Sequence, residues 1–310
     1  MLGSCVGGAR AAGLSDEPGW VPGLQLYTLG DAPAKDLAGT LETVSRIGYR
    51  AVELPGFYGQ SAAELRRALD RAQLICPAIH AAPRKTPGMW DIEGELEKLA
   101  ADVRLLGAEY VVVPIMLLPS VVMEGLHNPP PGGFTQPAVL NLLAKITADD
   151  WKRTADLLNR SAAGLARSGI RLAYHNHSAE FLPLPDGSNG YDLLLANTDP
   201  GLVQFELDIG WAVSAGQDLD ALFRRAGNRI RLLHLKDTGA KSGVALEMVP
   251  ADIGTGMVPW HKVADAIRDY RIRHLFVEQE PPFPGEPMDS VRTAYRYLTT
   301  LFASASKKGN

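Results

Sequence analysis

Cysteine is scarce in this chain. The two present in 310 residues, Cys5 and Cys76, make no CxxC pair, which argues against a disulfide framework and against a thiolate metal site. Long apolar runs are absent too. Nothing approaches the roughly eighteen consecutive apolar residues of a transmembrane helix, so no membrane span is expected. Neither sign of charge dominates: 31 Lys and Arg against 35 Asp and Glu leave a formal net charge of −4 and a pI near 6.0. The basic footprint of a nucleic-acid-binding protein is therefore missing. There is no internal repeat and no clear domain boundary. What is present is 46% apolar content over a length that suits one large core.

The first twenty residues differ from the rest. They are rich in small residues, with Gly7-Gly8-Ala9-Arg10-Ala11-Ala12-Gly13, and carry no strand or helix period. Residues 1–22 read as a disordered leader or, alternatively, as the tail of an export signal. Leu2-Gly3-Ser4-Cys5 has lipobox order but lacks the preceding apolar stretch. The compartment follows that choice: cytoplasmic as the chain stands, periplasmic if the leader is a signal remnant. Residues 305–310 read as a tail.

Between them, 23–304 alternates strand-like and helix-like segments. Strands are expected at Gly23–Leu29, Arg50–Leu54, Ile75–His80 and Tyr110–Ile115, with four more ending at Asn176, Asp208, Lys236 and Gln279. Helices are expected at Asp36–Ile47, Ser61–Ala72, Ile92–Leu106, Ala148–Ser168, Tyr191–Ala196, Leu219–Ala226 and Trp260–Tyr270, with Met288–Ala303 closing the chain. Ser61 followed by Glu64 is a capping box. A Pro/Gly-rich loop from Leu117 to Ala138 is either a lid or a passive excursion. A doubly wound sheet has the same alternation, but eight βα units in one domain favour an α/β fold of the (β/α)8 TIM-barrel type, as a single domain.

Four apolar runs end in polar clusters: Tyr174-His175-Asn176-His177, Glu206-Leu207-Asp208, His234-Leu235-Lys236-Asp237 and Glu278-Gln279-Glu280. In a barrel, strand carboxyl ends face the pocket and alternate residues point inward. Parity then pairs His175 with His177, Glu206 with Asp208, His234 with Lys236, and Glu278 with Glu280. Carboxylates converging in one place call for a cation or a proton, and a divalent metal held by imidazoles and carboxylates meets that demand. Mn²⁺, Co²⁺, Fe²⁺, Zn²⁺ or Mg²⁺ would serve. Glu53 and His80 end the second and third strands and are expected to touch substrate, with Glu206 and Trp211 beside them; Trp211 is either a sugar-stacking ring or a core residue. His127 and His261 read as structural or surface residues, and His274 as belonging to the opposite, stability face. Gly254-Thr255-Gly256 reads as a flexible turn at the pocket rim.

These clusters, with Gln25-Leu26-Tyr27-Thr28, Gly48-Tyr49-Arg50-Ala51-Val52-Glu53, Glu180-Phe181 and Gly254-Thr255-Gly256 followed by Trp260, resemble the xylose-isomerase-like barrel superfamily and its sugar phosphate isomerase/epimerase-type members. The resemblance implies one divalent metal bound by a Glu on strand five, an Asp on strand six, a His on strand seven and a Glu on strand eight. Asp208, His234 and Glu278 carry over. At strand five the His175-Asn176-His177 segment stands where the epimerases have Glu, and His175 matches that position best. The departure brings the chain closer to the inosose-dehydratase-like and keto-glycoside-cleaving branches.

The expected activity is a divalent-metal-dependent isomerase or epimerase acting on a keto-sugar or polyol through a metal-stabilised enediolate. A lyase, dehydratase or hydrolase of keto-glycosides or inososes is the alternative on the same site. A non-catalytic sugar-binding barrel is the alternative of another class. His177, Glu180 or Glu280 would move protons. Lys236 would stabilise the enolate oxygen or orient the substrate, or else form an ion pair with Glu206 or Glu280. The expected partner is a small carbohydrate rather than a nucleic acid. Homodimers are common in the family, but no interface patch stands out in the sequence.

Overall fold

The computed structural model describes residues 22–130, 132–242 and 247–306. The expected leader and tail lie outside these but for 22 and 305–306. Eight strands form the centre: β1 (Gly23–Gln25), β2 (Ala51–Leu54), β3 (Ile75–Ala82), β4 (Tyr110–Val113), β5 (Arg171–His175), β6 (Val203–Asp208), β7 (Ile230–Leu235) and β8 (His274–Val277). Each pairs in parallel with its sequence neighbour, and β1 pairs with β8, so the sheet closes into a (β/α)8 barrel. β-Branched and aromatic runs such as Tyr110-Val111-Val112-Val113 suit strands buried on both faces.

One main helix follows each strand: α1 (Leu37–Ile47), α2 (Ala62–Ala72), α3 (Leu96–Leu106), α4 (Ala148–Ala166), α5 (Gly190–Asn197), α6 (Leu219–Ala226), α7 (Trp260–Asp269) and α8 (Pro287–Ser306). The capping box at α2 forms as expected, with Ser61 N donating to Glu64 Oε2 at 2.8 Å. Thr147 and Asp150 build a second one at α4. Each cap stabilises its helix by about 1 kcal/mol.

Three expected elements differ by more than three residues or in kind. β1 stops at Gln25 rather than Leu29, because the Gln25 side chain accepts from Tyr27 N at 3.2 Å and turns the chain into a 3-10 helix, Leu26–Leu29. α3 starts at Leu96 rather than Ile92, because Asp91 Oδ1 accepts from Gly94 N at 2.7 Å and holds a turn there. The stretch from Leu117 to Ala138 is not a plain loop. It holds helix Ser120–His127 and the start of helix Gln136–Leu143, and Leu142 packs where a side chain on Gly125 would stand.

Toward the amino-terminal end the barrel is filled by Ala51, Ala78, Tyr110, Val112, Ala173, Leu232 and Phe276. A Cβ on Gly23 would lie 2.7 Å from the Phe276 ring, so the smallest residue lets that ring fill the centre. His274 opens β8 and stacks on Phe276 with ring centroids 6.4 Å apart, at the end expected for it. Apolar packing ends one layer further along, and the polar site begins.

Candidate metal centre at the barrel mouth

The next inward layer comes from β1, β2, β3, β5, β6 and β7. Gln25 Nε2 donates to Glu53 Oε2 at 2.8 Å and lies 3.3 Å from His80 Nε2. Glu53 Oε2 also lies 3.2 Å from His80 Nε2 and 2.7 Å from His234 Nε2. Glu206 Oε2 faces three imidazoles: His175 Nδ1 at 3.0 Å, His234 Nε2 at 3.1 Å and His80 Nε2 at 3.4 Å. Glu53 and Glu206 are 0% exposed. The pairings Gln25↔Glu53, His175↔Glu206 and Asp208↔His234 set these groups side by side on neighbouring strands.

A second layer sits at the strand ends. Lys236 Nζ lies 3.0 Å from Asp208 Oδ2, 2.7 Å from Glu278 Oε2 and 2.7 Å from Glu280 Oε1. Its ammonium stands 5.3 Å over the Trp211 ring, a cation–π contact. His234 Nδ1 reaches the same layer, 3.0 Å from Glu278 Oε2 and 4.0 Å from Asp208 Oδ2. The His177 ring is 4.9 Å from His175 and 5.7 Å from Trp211. Asp208 Oδ1 accepts from Trp211 N at 2.8 Å, so a short helix, Ile209–Ser214, starts directly from the site.

Burial and crowding set the protonation states. For Lys236, burial opposes charge, but Asp208, Glu278 and Glu280 hold the ammonium above its usual range. For His80 the same opposition is overcome by Glu53 and Glu206, which raise it to about 9. His234 is likewise raised against burial by Glu206, Glu278 and Glu53. His177 is pushed down to about 3 by burial and then by Lys236, so it is neutral at neutral pH. His175 is lowered by burial and by the His234 and His177 rings. Burial also raises Asp208 and Glu206, reinforced by Glu278 and Glu53 respectively. Glu278 is lowered instead, because Lys236 and His234 outweigh its burial.

Two loops hold the mouth in place. Tyr174 donates its hydroxyl to Glu180 Oε1 at 2.8 Å, and Glu180 Oε2 accepts from His177 N at 2.9 Å. Glu180 thus pins the β5 loop that carries His177, and burial raises its carboxyl to about 7. The Asp237 carboxylate accepts from the backbone N–H of Thr238, Gly254, Gly256 and Val258 and from Trp260 Nε1, all at 2.9–3.1 Å. The Gly254-Thr255-Gly256 turn is therefore wrapped around a carboxylate of the chain itself.

Of the residues singled out by sequence, the structure brings His175, Asp208, His234 and Glu278 together. Each offers one ligand atom, and the four atoms lie within 4.8 Å of one another. His80, His175, Glu206 and His234 form a second such group beneath. Asp208 Oδ2, Glu53 Oε1 and Glu206 Oε1 are buried and accept no hydrogen bond among the described residues, although Lys236 lies close to Asp208. Two imidazoles and two carboxylates with a spare buried oxygen suit a divalent transition metal. Lys236 pairs with Glu280, one of its two expected partners, and not with Glu206. Gly210 escaped sequence reasoning, and Gln25 entered it only within a matching stretch, with no role in the site. A Cβ on Gly210 would lie 2.7 Å from Lys236 Cγ, so that glycine gives the lysine stem its path. His127 and His261 lie away from the site, on the ends of their helices.

The xylose isomerase-like TIM barrel family matches residues 41–301. The chain belongs to that family. An inosose dehydratase from Lacticaseibacillus casei is 24% identical over 278 residues, covering 83% of this chain and 87% of its own. A solved sugar phosphate isomerase/epimerase from Parabacteroides distasonis superposes with a TM-score of 0.67 at 24% identity, covering 92% of this chain and 95% of the other. The IOLI protein, solved with a bound zinc atom, superposes with a TM-score of 0.64 at 14% identity, covering 92% and 99%. These two structural likenesses speak to the xylose isomerase-like fold. No helix among the described residues is long and apolar enough to cross a membrane.

Proposed function

We propose that this xylose isomerase-like protein is a divalent-metal-dependent enzyme that removes the proton next to the carbonyl of a keto-polyol or keto-sugar. The reading rests on one observation: His175, Asp208, His234 and Glu278 present four ligand atoms within 4.8 Å at the ends of four consecutive strands. We assign the ion to these four. A bound ion there supplies a Lewis acid for negative charge developing on the substrate oxygens.

The chain's own groups do the rest. His177 stands at the layer the substrate meets, beside His175 and Trp211, so we assign its imidazole to take the proton from carbon. Glu280, with its side chain 25% exposed and paired with Lys236, is the carboxylate a substrate reaches, and it orients the departing or receiving atom toward the proton that His177 has taken. Lys236 stays charged and stabilises the oxyanion. Glu180 holds the His177 loop in place. Glu53, His80 and Glu206 lie in the layer behind, so we assign them to support the ligands rather than to touch substrate. Trp211 lies beside His177 and under Lys236, where its ring borders the substrate.

From the enediolate two outcomes diverge. In elimination, the electron pair of the broken C–H bond forms a C=C bond while the β-hydroxyl leaves as water with the proton that His177 took from carbon. In isomerisation, the proton returns to a neighbouring carbon. An imidazole at 175 removes one of the two opposed carboxylates that symmetric epimerisation uses, and the similar inosose dehydratases span most of the chain, so elimination is favoured. The metal content of wild type beside Asp208→Ala and His234→Ala tests the site. About one equivalent in wild type, lost in both variants, is the expected result. No uptake of Mn²⁺, Co²⁺ or Zn²⁺ by wild type would sink the reading. Incubation with an inosose in D₂O then separates the outcomes: loss of one water by mass for elimination, carbon-bound deuterium without water loss for isomerisation.

A further inference from the structure

His234 presents its two ring nitrogens to two different carboxylate pairs. Nε2 lies 2.7 Å from Glu53 Oε2 and 3.1 Å from Glu206 Oε2. Nδ1 lies 3.0 Å from Glu278 Oε2 and 4.0 Å from Asp208 Oδ2. The same ring could therefore serve either of the two ligand groups, the deep one through Nε2 or the outer one through Nδ1. A neutral imidazole has one N–H and one lone pair, and a metal takes the lone pair. The partner of the other nitrogen decides which is which.

The deep side is built to accept a proton. Glu53 and Glu206 are fully buried and already leave Oε1 without a hydrogen bond. The Nδ1–H tautomer would instead set a lone pair against both Oε2 atoms, 2.7 and 3.1 Å away in a fully buried place, and take one donor from each, leaving Glu53 Oε2 to Gln25 and Glu206 Oε2 to His175. Gln25 donates to Glu53 Oε2 from β1, which fixes that carboxylate in line with the ring. The outer side has two carboxylates, Asp208 and Glu278, to share a divalent charge.

We propose that Glu53 and Glu206 are positioning residues that take the Nε2–H of His234, leaving Nδ1 as the ligand and fixing the ion in the outer group with Asp208 and Glu278. Gln25 serves the same end through Glu53. The inference rests on the metal reading given above and adds which nitrogen binds and what selects it.

Two measurements test it, neither of them activity. Long-range ¹H–¹⁵N spectra of the Zn²⁺-loaded protein are expected to show His234 with its proton on Nε2 and its metal-shifted nitrogen at Nδ1. Competition with a chelator is expected to show Zn²⁺ binding about ten to a hundredfold weaker in Glu53→Gln/Glu206→Gln than in wild type, the usual scale for removing such a support. Zinc on Nε2, or unchanged affinity in the folded double variant beside a wild type that binds normally, would overturn this inference alone. A wild type that takes up no zinc would overturn the metal reading and the inference with it. Should the double variant not fold, the wild-type spectrum decides.

Discussion

Lys236 and His234 share one acceptor: Glu278 Oε2 lies 2.7 Å from the ammonium and 3.0 Å from Nδ1 of the ring. Two cationic side chains from one strand, two residues apart, converge on a single oxygen of the next strand. An ion bound by Asp208 and Glu278 would draw on the same charge that now holds the lysine.

Replacing the lysine therefore has an ion-dependent cost. In chelator-treated protein, Lys236→Met leaves buried carboxylates without their partner and is expected to destabilise by about 3 kcal/mol or more. A divalent ion should restore most of that loss. Denaturant melts with and without Mn²⁺ check it, and an equal deficit in both would show that the ion does not take over the lysine's charge.

Gly210 governs where that lysine stands. A methyl group there would lie 2.7 Å from Lys236 Cγ and 2.8 Å from its Cβ. Gly210→Ala is expected to cost about 1–3 kcal/mol from overpacking. It should also lower turnover by about a hundredfold, the scale of a displaced catalytic group, while metal content stays at wild-type level. Metal analysis beside steady-state rates separates that result from loss of the ion.

Glu180 links stability to pH. Burial raises its carboxyl from 4.5 to about 7 in the folded protein, while the unfolded chain keeps the ordinary value. The folded state therefore holds a proton that the unfolded state releases. Its contribution is fully present below pH 4.5 and is lost as pH rises through about 7, a change of about 3 kcal/mol. In Glu180→Gln the slope should fall by Glu180's share, while Asp208 and Glu206, also raised by burial, keep theirs. Stability curves measured from pH 5 to 8 decide, and identical slopes in the two proteins would exclude Glu180 as the source.

Asp237 closes the β7 loop by accepting five hydrogen bonds. Asp237→Asn removes the charge and turns one acceptor into a donor, at an expected cost of about 3 kcal/mol. Hydrogen exchange at Gly254, Gly256 and Val258 should speed up more than exchange in β4. Uniform acceleration across the molecule would mean the loop has no local role.

Much of this arrangement is legible in the residues alone. Period-two spacing puts His175, Glu206, Asp208, His234, Lys236 and Glu278 on inward faces, because a strand in a closed barrel has only two sides. Depth is not legible that way. Glu206 and Asp208 share a parity yet serve different layers, and the irregular register between Phe205 and Glu206 against β7 is a property of the paired strands. Gln25 lies in a segment whose apolar character suggests a longer strand, and only its side-chain bond to Tyr27 N reveals the turn. The proline run Pro129-Pro130-Pro131 gives the stretch after Leu117 the composition of a loop, although helices flank it. Gly254-Thr255-Gly256 reads as a flexible turn, but it is wrapped around Asp237, 17 residues before Gly254, and spacing does not announce that.

The pairing of β1 with β8 has a further consequence. Every strand but β4 lends a polar side chain at or just past its carboxyl end to the centre, from Gln25 early in the sequence to Glu280 late in it. The second half of the barrel carries the ligands, but neither half carries the ligands together with their support. All four proposed ligands, His175, Asp208, His234 and Glu278, lie in the second half, while the Gln25–Glu53 support for His234 lies in the first. Two halves produced separately would each lack part of the chemistry, and a gain in ion affinity on mixing would report their reassembly into a ring.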